Sequence, residues 1–422
     1  MKLTKNDIKR EALAGLTTFL TVSYIIVVNP SILSTTGTGL SFSGVMTATV
    51  LLCFLCTLMM GLYAKLPYAV APGMGINAFF TYNLILAQHI PWQTALGMVF
   101  WSGVIFLILS ITPIRSSIVK SMPLIIRQSA AVGIGLFLTF IGLKNGGIVI
   151  SHPVTFVTIA PLSIDTLYLA LSMLLILILL KRKSALAFIA GILLVTFFFF
   201  ITKRLSIPES FLSHPDFQSV FFQIDFAGAL KWSFLPAILS ILFTDLFDSI
   251  STFMGLAQSG GFLDKDGNPI RLKEGLIVDS FATGLAGLFG TSSGTAYIES
   301  AAGIEAGGKT GLTAVFTALL FLPCFFIAPL VGMIPELATA PVLIIVGFLM
   351  FRSVKEMDLS KIEEALPAFL TVILIPLTFS ITQGLIWGIL SYVALHLLTG
   401  NRKKLPLGLY LTAVICFSLL FL

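Results

Sequence analysis

The chain contains 422 residues, of which 57% are hydrophobic and only 10% are charged, and its mean hydropathy is +1.03. Soluble domains carry about 25% charged residues, so this composition excludes a soluble globular protein and predicts a polytopic helical membrane protein. The net charge of +6 does not require a nucleic-acid partner, because lysine and arginine collect in the short cytoplasmic loops of membrane proteins.

The N-terminal segment, MKLTKNDIKR, is basic and leads into a long apolar run that ends at Asn29 and Pro30. No small-residue cleavage site follows this run, so we expect an uncleaved first membrane span and not a signal peptide. The basic residues of the segment favour a cytoplasmic N-terminus. We therefore expect a multi-pass protein of the cell membrane (the inner or plasma membrane).

Apolar runs of about 16 to 25 residues mark the expected membrane spans. In the first half they cover residues 12–33, 44–62, 68–87, 92–112, 123–145, 166–181 and 184–202. A polar connection at 203–230 is expected at the surface. The second half holds 231–256, 275–289, 291–308, 309–334, 337–353, 363–380 and 383–399. The last apolar run, 405–422, is either a further crossing or a segment that lies along the others.

The basic residues between the runs test this order of spans. If each run crosses once, most of them fall on the face of the N-terminus, as the distribution of lysine and arginine in membrane proteins requires. These are Arg115, Lys120, the turn at 181–183, Lys265, Arg271, Lys273, Lys309, Arg352, Lys355 and Lys361. Lys144, Lys203 and Arg204 do not fit, and 402–404 follow the fourteenth run.

The two halves share a plan, because a half-broken segment is third in each set of seven spans. An odd number of spans per half requires the second copy to be inserted upside down. Inverted repeats with discontinuous helices at equivalent positions are typical of secondary transporters, whose sites lie near the mid-membrane repeat interface. This pattern predicts a solute carrier.

The first half-broken segment is LPYAVAPGMGINAFFTYN, residues 66–83. Its prolines oppose a helix, its glycines loosen the chain, and Pro72 is well placed just before a new helix start. Asn77 then stands about one turn into the half-helix, where its amide both donates and accepts hydrogen bonds. We interpret Asn77 as a ligand contact, and the alternative is an amide that satisfies local backbone groups.

The second constellation is FTDLFDSISTF, residues 243–253, in the middle of a span. Asp245 and Asp248 are three residues apart and share one helix face. Carboxylates at mid-bilayer are costly and tend to face a functional cavity. Two on one face also hinder each other's ionisation, which suits a group that takes up and releases a proton. The alternative is a structural pair capped by neighbouring hydroxyl groups.

The third constellation is LFGTSSGTAYIESAAGIEAGGKTG, residues 288–311. Regular helix should fail at 290–294, because glycine loses backbone entropy and serine and threonine compete for backbone hydrogen bonds. From Thr295 on we expect a helix, which carries Glu299 with no charged neighbour within five residues. Broken backbone at membrane depth must be buried in protein or line a watery cavity. The segment therefore predicts half of a solute-binding site.

Other polar residues near these segments have more ordinary interpretations. Asp279 is either another buried acid or, as we favour, a structural residue that hydrogen-bonds the broken segment. Glu305 and Lys309 are expected at a solvated helix end. The octapeptide GIEAGGKT, residues 303–310, fits the phosphate-binding P-loop pattern, but that motif needs a preceding strand and an α/β domain. We interpret it as a glycine turn.

No metal or other cofactor is expected. Cys53 and Cys56 have the spacing of metal ligands, but they lie in an apolar run without a second cysteine or histidine pair. The four histidines are scattered through the chain and form no cluster.

Four motifs in this order carry a specific resemblance: TTFLTVSYIIVVNPSIL, APGMGINAFF, FTDLFDSISTF and GTSSGTAYIESAAGIEAGGKTGLT. From about residue 10 to about residue 400, the chain resembles the AzgA-like purine permeases, a branch of the nucleobase:cation symporter-2 superfamily. The resemblance implies an all-α protein of about 14 transmembrane segments, arranged as two inverted seven-helix repeats with spans 3 and 10 discontinuous. It also implies import of hypoxanthine, guanine or adenine together with H⁺.

The same resemblance implies a core domain that moves against a gate domain. The first repeat would occupy residues 1–202, with core spans in 12–112 and gate spans in 123–202. After the interfacial connection at 203–230, the second repeat would occupy 231–422, with core spans in 231–334 and gate spans in 337–422.

Carried over through the motifs, the purine contacts of the family fall on Asn77, Asp245 and Glu299, and Asp248 is linked to proton coupling. The sequence departs from the family at Gly294, where threonine or serine is commoner. This change could alter the shape of the extended segment and hence the purine that fits.

The chemistry of these side chains suits a purine, which is planar, neutral and edged with N–H donors and with nitrogen and oxygen acceptors. Carboxylates accept from ring N–H groups, and an asparagine amide bridges a donor and an acceptor. Phe79, Phe80, Phe243 and Phe247 could stack on the base, but among 37 phenylalanines packing is the favoured role of each.

Two other functions fit the sequence less well than purine transport does. A transporter of the same fold for another nucleobase, such as xanthine, urate or uracil, stays open, whereas an anion carrier would need a cation at the half-helices. An intramembrane aspartyl enzyme would need Asp245 and Asp248 to face each other across a gap. We expect a purine nucleobase, H⁺ and the lipid bilayer as partners and no nucleic acid, and the sequence leaves a homodimer open.

Overall fold

The computed structural model describes residues 4–112, 123–265, 268–400 and 405–419. Within these ranges the chain is almost wholly helical. The first half contains α1 (Lys5–Val22), α2 (Ile25–Leu33), α3 (Phe42–Met59), α4 (Met74–Ala78), α5 (Trp92–Ile111), α6 (Leu124–Asn145), α7 (Ile164–Lys181) and α8 (Ala187–Ile201). The second half contains α9 (Leu235–Gly260), α10 (Leu272–Phe289), α11 (Ser300–Glu305), α12 (Gly311–Phe321), α13 (Ala328–Gly332), α14 (Glu336–Phe351), α15 (Ile362–Thr378), α16 (Ile381–Leu398) and α17 (Leu407–Leu419).

The chain also contains segments of π-helix and 3₁₀-helix, several of which continue an α-helix. The chain is π-helical at Met60–Ala64 and Phe79–Ala87, and it forms 3₁₀ turns at Gly228–Leu230, Trp232–Phe234, Leu322–Phe326 and Arg352–Glu356. Four short strands complete the described structure: β1 (Val70–Ala71), β2 (Val149–His152), β3 (Phe156–Ile159) and β4 (Thr295–Ala296).

Eight helices of the described ranges are long and apolar enough to cross a membrane, judged by length and composition. Among them are the first span, Asn6–Leu33, and the 29-residue segment Trp232–Gly260. Shorter apolar helices, such as Ala187–Ile201, accompany them. The prediction of an α-helical multi-pass membrane protein is thereby confirmed.

Some predicted spans are less regular than expected. The first divides into α1 and α2 at Ser23 and Tyr24. The run at 309–334 divides into α12, a 3₁₀ turn and α13, and the two later pieces carry Pro323 and Pro329 near their starts. Proline lacks an N–H group and clashes within a helix interior, so the start of a helix is a favourable position for it.

An antiparallel hairpin, for which the sequence analysis predicts no element, joins α6 to α7. Strands β2 and β3 pair from Val149 opposite Ile159 to His152 opposite Phe156. Every side chain of β3 is exposed, including Phe156.

The two half-broken segments meet as an antiparallel pair of strands. Val70 of β1 lies opposite Ala296 of β4, and Ala71 lies opposite Thr295. The pairing extends by one bond, in which the N–H of Tyr297 donates to the carbonyl of Ala69 at 2.9 Å. All four strand residues are buried. Backbone groups without helical partners are thus satisfied by the other repeat, as the bilayer interior requires.

The predicted break at 290–294 is confirmed, but the prediction that a helix resumes at Thr295 is wrong. Helix α10 ends at Phe289 and is capped by Gly290, whose φ of +97° suits glycine. The chain then stays extended through β4, and α11 begins only at Ser300. The physical reason is the long-range pairing with β1, which outweighs the local helix propensity of this segment.

Helix packing brings the halves of the chain together around this strand pair. Helix α1 packs against α12, α5 against α10, and α6 against α14. Helix α9 contacts β4, α10 and α11. Both half-broken segments therefore lie inside a bundle built from both halves.

Two of the three cations that did not fit the predicted loop pattern, Arg204 and Lys144, have partners close by. Arg204 forms an ion pair with Asp165, with Nη2 2.9 Å from Oδ2, and its guanidinium lies 4.2 Å from the ring centroid of Phe199. The ammonium of Lys144 lies 5.5 Å from the ring centroid of Tyr82. Local partners thus accompany two of them. Lys2, Arg115, Lys120 and 402–404 lie outside the described residues.

The polar connection at 203–230 is fixed to the first half through Asp216. Its carboxylate accepts hydrogen bonds from the hydroxyls of Ser43 and Ser219, each at 2.7 Å, and from the N–H of Gln218 at 3.1 Å. Burial alone would raise the pKa of Asp216, but these hydrogen bonds outweigh burial and lower the pKa to about 2. The carboxylate therefore stays ionised, and the connection fixed, throughout the physiological pH range.

A buried acid that the sequence analysis passed over joins the N-terminal helix to α12. Glu11 of α1 is 1% exposed. It accepts hydrogen bonds from the N–H groups of Lys309 and Thr310, at 3.2 and 3.4 Å, and from the hydroxyl of Thr313. The carboxylate thus binds the backbone just before α12 and the first turn of that helix, where an anion is favoured by the helix dipole.

Replacement of Glu11 by alanine should lower the thermal unfolding temperature of the detergent-purified protein, since a buried helix start loses its acceptor. Hydrogen bonds to charged groups contribute about 1.5–3 kcal/mol each, so we expect a loss of roughly 3 kcal/mol or more. The exposed Glu209 provides the control, and its replacement by alanine should leave the unfolding temperature unchanged. Equal unfolding temperatures for both variants would contradict this role of Glu11.

Candidate functional site

The candidate site surrounds the β1–β4 strand pair, from which both half-broken segments continue into short helices. Asn77 is the fourth residue of α4, which confirms its predicted place one turn into the half-helix. Its side chain is fully buried, and its Oδ1 accepts a hydrogen bond from the hydroxyl of Ser292 in the other broken segment. Asn77 thus links the two segments to each other.

Asp245 is fully buried on α9. Its Oδ2 accepts a hydrogen bond from the hydroxyl of Thr283, which also lies 3.2 Å from the carbonyl oxygen of Gly294. Its Oδ1 has no hydrogen-bond partner among the described residues. A buried carboxylate oxygen without a donor is costly, so it is a natural place for a proton or for an N–H group of a ligand.

Asp248 lies one turn further along α9 and lines a small cavity of about 60 Å³. Start residues of the first half-helix, Gly73 and Gly75, form another part of its wall. The cavity also contains Phe243 and Phe247, whose rings are stacked with centroids 6.1 Å apart. This volume is enough for a few water molecules.

Arg127 of α6 lines the same cavity, and the sequence analysis did not single it out. The sequence contains a signal for it, because Arg127 interrupts the apolar run 123–145. That run begins close to a basic loop, where an arginine is common, so its pattern alone predicts an ordinary span. An ionisable residue inside a span is a functional candidate by default.

Glu299 lines a second and larger cavity, of about 460 Å³. It immediately precedes α11, and its Oε1 accepts a hydrogen bond of 2.8 Å from the hydroxyl of Tyr24. The wall also contains Lys183 and Glu305, which form an ion pair of 2.8 Å. The solvated helix end predicted for Glu305 is exposed as expected, and it is also tied to the turn between α7 and α8.

Asp279 has the structural role that we favoured. Its Oδ2 accepts a hydrogen bond of 3.0 Å from the N–H of Ala296 and lies 3.5 Å from the hydroxyl of Thr295. The carboxylate therefore holds β4 in place against α10.

The four predicted site residues do not line one open pocket in this conformation. Asp248 lines the smaller cavity and Glu299 the larger one, while Asn77 and Asp245 are buried beside the strand pair and line neither. The roles of these four residues in binding and coupling stay predictions.

Gly294, the position that departs from the resembled family, is closely packed. A Cβ atom built on it would lie 2.6 Å from the Cβ of Ala282 and 3.0 Å from its carbonyl carbon. A larger side chain here would require the extended segment to move away from α10. The glycine therefore sets how closely the broken segment approaches Thr283 and Asp245.

Within the described residues, no group of three His, Cys, Asp or Glu side chains could hold a metal ion. Cys53 and Cys56 are free and buried. The polar groups that contact the two broken segments include carboxylates, hydroxyls and the Asn77 amide.

Comparison with known proteins adds a family and a set of relatives. A model described as "Permease family" matches residues 9–386. A protein of Methanocaldococcus jannaschii, named only as a permease, is 46% identical over 417 residues, which cover 98% of this chain and 95% of that protein. The adenine permease AdeP of Escherichia coli is 37% identical over 98% of this chain and 92% of its own length. The guanine/hypoxanthine permease PbuO of Bacillus subtilis is 36% identical over 100% and 99%, respectively.

Among solved structures, the transmembrane domain of a cyanobacterial bicarbonate transporter, BicA, is similar in fold. It aligns with a TM-score of 0.69 over 92% of this chain and 98% of that domain, at 16% sequence identity. At this identity the likeness concerns the fold alone, that of two inverted repeats of seven helices.

Proposed function

This chain belongs to the permease family, so it is a membrane transporter and not an enzyme, and from that premise we propose that it carries a purine nucleobase. Full-length relatives named as adenine and guanine/hypoxanthine permeases support this substrate class. In the structure, one observation carries the proposal: Glu299, oriented by Tyr24, presents a carboxylate to a cavity of about 460 Å³. Ligand pockets commonly measure about 300–1,000 Å³.

The proposed contacts follow from the edge of the base. Glu299 accepts from ring N–H groups, and Asp245 accepts through its unpartnered Oδ1. Asn77, now bonded to Ser292, supplies an amide that bridges a donor and an acceptor of the base. We infer that the base enters through the larger cavity and reaches Asp245 and Asn77 when the strand pair and its neighbours rearrange.

Transport itself is proposed to occur by alternating access in a protein of fourteen spans. The core (spans within 12–112 and 231–334) moves against the gate (spans within 123–202 and 337–422). The larger cavity opens beside Lys183, in a turn whose basic residues favour the cytoplasm, so this conformation corresponds to an inward-facing state. The proposed localisation is the cell membrane with a cytoplasmic N-terminus.

We propose H⁺ as the coupling ion and Asp248 as the group that carries it. Asp248 lies mid-way along α9 and lines a cavity of about 60 Å³, which is large enough for water molecules. A proton that moves down a potential of about 100 mV releases about 2.3 kcal/mol, enough for roughly fiftyfold accumulation of the base.

The test is uptake of radiolabelled hypoxanthine, guanine and adenine by cells that lack their own purine permeases. We expect saturable uptake of at least one purine that collapses when an uncoupler is added. Uptake that is unaffected by the uncoupler would refute proton coupling. Uptake of xanthine or uracil, and not of these three purines, would show that the proposed substrate is wrong. Absence of any nucleobase uptake, with the protein present in the membrane, would refute the function.

A further inference from the structure

Arg127 faces the smaller cavity together with Asp248, although the two residues belong to different helices. The cavity wall on α6 consists of Arg127 and three residues at helical spacing from it, namely Ala130, Ala131 and Ile134. Residues at these spacings share one face of a helix, so Arg127 projects toward the cavity and not toward lipid. On the opposite side, α9 presents Thr244, Phe247, Asp248 and Ser251 with the same spacing.

The guanidinium of Arg127 contacts an aromatic ring, and no carboxylate of the described residues forms an ion pair with it. The Cζ atom of Arg127 lies 5.8 Å from the ring centroid of Phe247, which is within the range of a cation–π contact. Its Nε is buried without a hydrogen-bond partner among the described residues. The ion pairs of the described chain do not include Arg127. A buried, positioned and unsatisfied donor is therefore available to a ligand.

We propose that Arg127 determines purine specificity, and that it favours bases with an oxygen at position 6 over adenine. This inference rests on the proposed purine transport. A guanidinium is donor-only, and its planar fork matches two adjacent acceptors. Hypoxanthine and guanine present O6 and N7, both acceptors, on one edge, whereas adenine presents N7 beside an amino group that donates. Opposite Arg127, adenine keeps only the hydrogen bond to its N7. Its amino group then places a donor against a donor of the guanidinium.

The size of the cavity determines when this contact forms. At about 60 Å³ the cavity is smaller than ordinary ligand pockets. Its walls come from helices of the proposed core, α4 and α9, and of the proposed gate, α6, α14 and α16. Separation of gate from core widens the cavity, and the base then lies between Arg127 on the gate and Asp248 on the core.

The experiment measures binding to the full-length protein, purified in detergent and reconstituted in nanodiscs. Wild type and the variants Arg127→Met and Arg127→Lys are titrated with labelled hypoxanthine and, separately, labelled adenine. Unsubstituted purine, which lacks any group at position 6, serves as competitor. Arg352→Met is the control, because Arg352 is exposed at the end of α14 and lines neither cavity.

We expect Arg127→Met to weaken hypoxanthine binding roughly tenfold, because a bidentate arginine contact discriminates between bases by about 5- to 150-fold. Adenine and unsubstituted purine should change by less than about threefold. Arg127→Lys keeps the charge without the fork, and it should lose part of the preference for hypoxanthine. The control variant should bind as wild type does.

Two results would overturn the inference while leaving purine transport intact. One is an equal loss of hypoxanthine and adenine binding in Arg127→Met, which would indicate a structural role. The other is an unchanged hypoxanthine-to-adenine ratio in both variants. If wild type binds none of the three bases, the proposed function fails first and the specificity role fails with it.

Discussion

Replacement of Glu299 by glutamine should abolish purine uptake, with a loss of roughly 100-fold or more, while the protein remains folded in the membrane. Glutamine preserves the volume of the side chain and still accepts from Tyr24. The amide of glutamine places an N–H donor where the proposed base presents its own N–H groups. Two donors then face each other, and the hydrogen bond from the base to a carboxylate oxygen is lost. The measurement is initial-rate uptake of labelled hypoxanthine, normalised to the amount of protein in the membrane.

The matched control is Glu209→Gln, an identical chemical change at an exposed position of the connecting segment, which should transport normally. Tyr24→Phe gives a graded comparison, because it removes the 2.8 Å hydrogen bond that orients the carboxylate but leaves the acceptor in place. We expect it to reduce uptake less than Glu299→Gln does. Normal uptake by Glu299→Gln would remove Glu299 from the site and with it the assignment of the larger cavity.

The breaks in the two discontinuous membrane segments were predictable from the sequence, because their causes are local. Proline and glycine in the segment at 66–83, and glycine with serine and threonine at 290–294, weaken a helix wherever they occur. The structure confirms both breaks and places Asn77 in the first turn of α4, as predicted. The family assignment drawn from the four motifs is also confirmed.

What the sequence could not predict depends on residues far apart in the chain. Helix propensity favoured a helix from Thr295, but the strand pair with Val70 and Ala71 was decided by a partner more than two hundred residues away. Glu11 looks like an ordinary residue of a basic terminus until α12 is placed beside it. Arg127 looks like the edge of a span until α9 places Phe247 and a carboxylate opposite it.

The arrangement of the acids was only partly predictable for the same reason. A spacing of three residues correctly places Asp245 and Asp248 on neighbouring positions of α9. It does not reveal that Asp245 turns toward Thr283 on α10 while Asp248 faces a cavity. The two acids, which the sequence treats as a pair, have different surroundings, and this difference suits the different roles proposed for them.

Replacement of Asp245 by asparagine should also abolish purine uptake, again by roughly 100-fold or more. Its Oδ1 is buried without a donor among the described residues, so the proposed base supplies the missing N–H group. Asparagine fits the same space and still accepts from Thr283, but its amide can offer a donor in place of the free acceptor. The measurement is binding of labelled hypoxanthine to purified protein alongside uptake, because loss of both indicates a substrate contact and loss of uptake alone indicates a role in movement.

Thr283→Val separates these roles from a structural one. It removes the hydroxyl that donates to Asp245 and contacts Gly294, but leaves the carboxylate itself in place. If Asp245 acts only by fixing α9 to α10, Thr283→Val should lower the unfolding temperature and uptake, whereas Asp245→Asn, which still accepts from Thr283, should change both only slightly. If Asp245 contacts the base, Thr283→Val should retain measurable hypoxanthine binding while Asp245→Asn does not. Hypoxanthine binding that survives Asp245→Asn but is lost in Thr283→Val would therefore exclude Asp245 from the purine site, and the larger cavity with Glu299 would have to bind the base without it.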